Sequence, residues 1–94
     1  MVRFIIFLEM TPEFLKLPIE ERQAFIPRWN QTAAKYGIKM VFWGLPLGVM
    51  EHVVMVYELA GNQEIFFMFQ REWLEWGTPE AGKYIRNTRT IIVH

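Results

Sequence analysis

Two stretches decide the fold: Arg3-Phe4-Ile5-Ile6-Phe7-Leu8-Glu9 and His52-Val53-Val54-Met55-Val56-Tyr57-Glu58-Leu59. Each is a β-branched and aromatic run closed off by charge, the composition of a buried strand. Side chains along a strand alternate between faces. In an antiparallel pair, the register that sets Arg3 against Glu58 also sets Glu9 against His52, so one alignment makes two complementary pairs. One face then carries Arg3, Ile5, Phe7 and Glu9 with His52, Val54, Val56 and Glu58. The other face, with Phe4, Ile6 and Leu8 against Val53, Met55, Tyr57 and Leu59, is purely apolar.

Working outward, Thr11-Pro12-Glu13 reads as a cap followed by proline at the first position of a short helical turn. Pro18-Ile19-Glu20-Glu21 opens a longer helix with acids in its first turn. Phe25, Trp29, Ala33 and Tyr36 recur at helical spacing as its buried stripe, and Gly37 stops it. Pro27 lies inside this pattern and predicts a kink. Ile38 to Leu45 reads as a strand. Pro46-Leu47-Gly48 turns it into the strand His52 to Leu59. Asn62 caps a helix from Gln63, with Ile65, Phe69, Trp73 and Trp76 at the 3.6-residue period and Gly77 as its stop. Thr78-Pro79-Glu80 repeats the cap-then-proline pattern ahead of a short helix through Ile85. Thr88 to Val93 is the last strand.

The order β-α-β-β-α-β with right-handed crossovers gives one α+β domain over residues 1–94, of the split βαβ or ferredoxin-like kind, with sheet order 4-1-3-2. The purely apolar face takes the helices. The other face has apolar residues at its centre, where a solvated antiparallel sheet carries polar ones. With 52% hydrophobic and 16% aromatic residues, a chain of 94 residues holds more bulky side chains than its interior can bury. A second copy of the same sheet is the simplest cover, which predicts a homodimer with sheets packed face to face, and leaves room for a higher oligomer.

In element order and face pattern, with Trp43-Gly44-Leu45-Pro46 running into the strand His52 to Leu59, the chain resembles the dimeric α+β barrel superfamily. That resemblance implies a fold and an internal cavity. It spans cofactor-independent monooxygenases, haem-degrading enzymes, lactone isomerases, cyclases and ligand-sensing domains, so no single reaction follows from it. The haem-degrading branch uses an Asn on strand 1 and a His after the Trp of the second helix. Trp73 or Trp76 matches the Trp, but strand 1 has no Asn and only the terminal His94 follows, which argues against haem degradation.

His52 with Glu9 is the candidate catalytic pair, since a carboxylate orients an imidazole as a general base. Trp43, Tyr57, Trp73 and Trp76, with Asn30 and Arg86 as polar anchors, are the candidate lining of an apolar ligand pocket. As a competing expectation, these aromatics simply pack the core. Phe66, Phe67 and Leu74 are candidate surface contacts for a larger assembly. The reading therefore offers a binding or assembly module that holds a small apolar molecule, or an enzyme of the monooxygenase or isomerase kind using His52 and Glu9.

Other classes are set aside. The chain has neither cysteine nor serine, so no disulfide, thiolate site or serine nucleophile is available. Two scattered histidines make no metal motif, and no glycine-rich phosphate loop occurs; no metal or cofactor is expected. Ten basic and ten acidic residues balance to zero, which argues against nucleic acid as a partner. No apolar run reaches the roughly 18 residues needed to span a bilayer, and the reading expects a cytoplasmic protein without a membrane partner.

Overall fold

A computed structural model describes residues 1–72 and 81–94. Strand β1 (Val2–Met10) leads through α1 (Pro12–Leu15), α2 (Ile19–Gln23) and α3 (Phe25–Ala34) to β2 (Lys39–Gly44). The hairpin partner β3 (Val53–Leu59), α4 (Glu64–Arg71), α5 (Ala81–Tyr84) and β4 (Ile85–Val93) complete the chain. The sheet runs β2-β3-β1-β4 with every neighbour antiparallel, which is the order expected from the sequence.

The β1–β3 register is also the expected one. Arg3 faces Glu58, and the ladder continues to Leu8 opposite Val53. Arg3 Nε lies 3.4 Å from Glu58 Oε1. Phe4, Ile6, Leu8 and Met10 point to the helices and are buried with Val53, Met55, Tyr57 and Leu59. Phe66 of α4 stacks flat on Phe4, ring centres 3.7 Å apart. Trp29 and Ala33 of α3 and Phe69 of α4 close the same core. Phe66 is therefore an interior side chain and no surface contact, whereas Phe67 is half-exposed; Leu74 lies outside the described residues.

Pro27 acts earlier than expected. A proline removes its own N–H and crowds the carbonyl four residues back, here that of Gln23. The helix accordingly ends at Gln23 and restarts at Phe25, so Pro27 sits in the first turn of α3, where no N–H needs an intrahelical partner. At the far end Gly37 takes φ +70°. Its N–H and that of Ile38 bond to Ala34 O and Ala33 O, the glycine-terminated cap that a left-handed residue permits.

Local caps hold the remaining joints. Thr11 Oγ1 accepts from the Phe14 N–H at 3.4 Å and donates to Lys83 O at 2.7 Å, tying α1 to α5. Asn62 Oδ1 accepts the Glu64 N–H at 3.0 Å at the start of α4. Glu72, next after α4, accepts from Tyr36 Oη at 3.2 Å and pairs with Lys35 at 2.9 Å. The final strand is longer than expected: β4 begins at Ile85, directly after α5, because its first residues pair with the far end of β1 past an irregularity at Glu9/Met10.

Candidate functional site

The helices cover one face of the sheet unevenly. Near the end of the β2–β3 hairpin, α1, α2 and the start of α3 stand off from the strands and leave a cavity of about 280 Å³. Phe14, Trp29 and Val53 form its buried floor, and Ile26 its helix wall. Leu15, Ile19, Trp43 and Leu45 line it while remaining 38–73% exposed, so the cavity opens to solvent between α1, α2 and the end of β2. Three polar residues share the lining: Arg22, Gln23 and His52.

His52 reaches this cavity because it leaves the ladder. Alternation alone would put it on the opposite face beside Glu9. Instead β3 starts one residue later, the His52 N–H donates to Leu8 O at 2.8 Å, and its ring folds back toward Met10. The Met10 N–H donates to His52 Nδ1 at 3.0 Å. Nδ1 is therefore the unprotonated nitrogen, and a neutral ring carries its proton on Nε2.

The structure does not bring Glu9 to His52. Glu9 stays on the open face, where its carboxylate lies 3.8 Å from Arg86. Of the expected lining residues, Trp43 is in the cavity wall. Tyr57 is fully buried, its hydroxyl 3.6 Å from Met55 Sδ, and burial pushes its phenol well above the ordinary range. Asn30 borders a separate, shallower hollow with Gly37, Lys39 and Met40. Arg86 is exposed on β4, occupied by Glu9. Trp73 and Trp76 lie outside the described residues. Arg22 was missed by the sequence reading, because one arginine in an acid-rich helical turn looks like a solvated residue. Its Nε is nonetheless buried, with no hydrogen-bond partner among the described residues. No group of three or more His, Asp or Glu suited to a metal occurs among the described residues, and no described helix is long and apolar enough to cross a membrane.

The open face of the sheet is the second feature. Its centre is Ile5, Phe7, Val54 and Val56, aligned across β1 and β3. Phe42 and Ile91 extend it on the two edge strands and are 56% and 43% exposed. Charge pairs edge it: Arg3 with Glu58, and Arg89 with Glu51. The bulge between Met40 and Phe42 on β2 lets Phe42 join this face while Trp43 turns to the cavity.

A four-stranded antiparallel sheet in the order β2-β3-β1-β4, with helices on one face, defines a protein of the ferredoxin-like fold. Two solved structures are similar to it across nearly the whole chain. An uncharacterised NIPSNAP domain protein from Burkholderia xenovorans matches 100% of this chain and 93% of its own, at 13% identity and a TM-score of 0.66. A dimeric protein of unknown function and ferredoxin-like fold from Bacteroides fragilis matches 98% of this chain and 93% of its own, at 14% identity and a TM-score of 0.52. At such identities the likeness is one of fold. No family model matches the chain, and no curated protein matches it.

Proposed function

We propose that this protein is a homodimer that binds a small, largely apolar molecule in the cavity between α1–α3 and the β2–β3 hairpin. The observation that carries the reading is the cavity itself: about 280 Å³ of space, walled by aromatic and aliphatic side chains with three polar residues among them. Small-molecule sites have this make-up. Dimerisation is supported by the apolar open face, where Phe42 and Ile91 are 56% and 43% exposed; fully burying such a side chain from an exposed state contributes at most about 1.5–3 kcal/mol. It is also supported by the dimeric state of the similar Bacteroides fragilis protein.

The test is a thermal-melting screen of apolar compounds against the wild type and Leu15→Trp. A ligand raises the melting temperature with its concentration, and the larger side chain, placed in the wall, removes that rise. A flat response to a broad library, or equal shifts in both proteins, refutes the site.

A second reading is favoured by the placement of His52. An imidazole whose Nε2–H is fixed as a donor, lining an apolar cavity, suits polarising a substrate carbonyl in a cofactor-independent enzyme of the isomerase or monooxygenase kind. In this reading the Nε2–H donates to the substrate oxygen, since Nδ1 is occupied by the Met10 N–H, and Glu9, paired with Arg86 on the open face, takes no part. Ligands found by the screen would then exchange deuterium from heavy water with the wild type and not with His52→Asn. Equal exchange in both proteins removes the reading.

A further inference from the structure

Resting on the reading of the cavity as a ligand site, we infer that its ligand is an amphipathic acid, with an apolar body inside and one carboxylate held by Arg22 and His52. Three observations converge. Arg22 Nε is buried and lacks a hydrogen-bond partner among the described residues, and Arg22 lines the cavity. A guanidinium never gives up its charge, and with Nε closed off from solvent the donors it offers to an acceptor in the cavity are its terminal nitrogens. His52 lines the same cavity, and because its Nδ1 already accepts the Met10 N–H, the nitrogen left for a ligand is the protonated Nε2.

The third observation is charge. No glutamate stands among the cavity's described lining residues; Gln23 is the one polar group besides Arg22 and His52. The formal charge in the wall is therefore positive, in a chain whose overall charge is zero. A carboxylate is an acceptor-only group with two oxygens, one for each donor, and bonds to a charged donor are the stronger kind. An alcohol or amide of the same shape leaves the guanidinium uncompensated. Size limits the body. A volume of about 280 Å³ falls just below the usual ~300–1,000 Å³ for ligand pockets, which suits one short chain or one ring and excludes a two-chain lipid.

Isothermal titration of the full chain tests this with straight-chain acids from hexanoate to decanoate, each against the alcohol and the amide of the same length. The acid should bind the wild type at least about tenfold more tightly than either neutral partner. In Arg22→Gln that preference should fall to within about threefold, through weaker binding of the acid. Equal binding of acid, alcohol and amide by the wild type overturns the carboxylate inference and leaves the ligand site standing. Binding of none of them overturns both. Equal weakening of acid and alcohol in Arg22→Gln also overturns it, since Arg22 would then shape the wall and not hold the head.

Discussion

The Arg89 guanidinium lies 4.5 Å from the centre of the Phe7 ring, directly across the β1–β4 ladder. The same guanidinium donates to both Glu51 oxygens, at 3.0 and 3.2 Å. An arginine on the open face is thus flattened against an aromatic ring and neutralised by a carboxylate from the β2–β3 connection. The arrangement shields Phe7 on one side and leaves a half-buried Ile5 and an Ile91 that is 43% exposed as the remaining apolar strip, beside an already buried Val56.

The Glu51–Arg89 pair gives the fold an acid-side weakness. The Arg89 hydrogen bonds hold the Glu51 carboxyl below its ordinary value of 4.5. The unfolded chain therefore takes up this proton before the folded one does. The pair's contribution is complete above the ordinary value and is lost as pH falls through the lowered, folded value. Glu72, held down by Lys35, acts with the same sign. Melting temperatures followed from pH 6 down to pH 3 should fall less steeply in Glu51→Gln than in the wild type; parallel curves would contradict this.

Ile91→Glu addresses the dimer with little disturbance to the subunit, because Ile91 is already 43% exposed in the single chain. Light scattering of the wild type at micromolar concentration should give twice the chain mass of 11.3 kDa, and Ile91→Glu the single mass. A carboxylate pressed into an apolar interface is costly unless it is paired. A wild type of single mass at that concentration would overturn the face-to-face dimer.

Phe66→Ala removes the ring stacked on Phe4 at the centre of the core. Truncations of this kind cost about 3–5 kcal/mol. At roughly 4–8 °C per kcal/mol for a domain of this size, calorimetry should record a fall of about 12 °C or more. A smaller change would mean that α4 is not packed as described.

His52→Leu should destabilise the fold by about 1–3 kcal/mol, because it leaves the N–H of Met10 without its acceptor; Met10 itself is 1% exposed. His52→Asn supplies an amide oxygen and should recover part of the loss. Equal destabilisation by both substitutions, measured by urea unfolding, would assign the effect to packing and not to the hydrogen bond.

Much of this architecture is legible in local chemistry. Alternation along β1 and β3, with Arg3 and Glu58 as the charge match, is enough for the register. The glycine cap at Gly37 and the Asn62 cap of α4 follow from backbone demands that few residues meet. The break before α3 is also encoded, though displaced: proline's effect falls on the carbonyl four residues upstream, so the helix yields at Gln23 and not at Pro27.

The site is where local rules stop. His52 and Glu9 match as charges on paper. However, β4 brings Arg86 to Glu9, and the irregularity at the end of β1 presents the Met10 N–H to His52 instead. Likewise nothing near Arg22 in the chain distinguishes it from a solvated arginine. Only the tertiary fold, which sets α2 across a cavity from Trp43 and Val53, far along the sequence, gives Arg22 an apolar space to line with its Nε buried. Periodicity and charge along the chain determine which faces of the strands are apolar and how those strands align, because these depend on neighbours a few residues away. Which polar side chain meets which partner was decided by tertiary structure, because at the ends of strands and helices the competing partners arrive from distant elements.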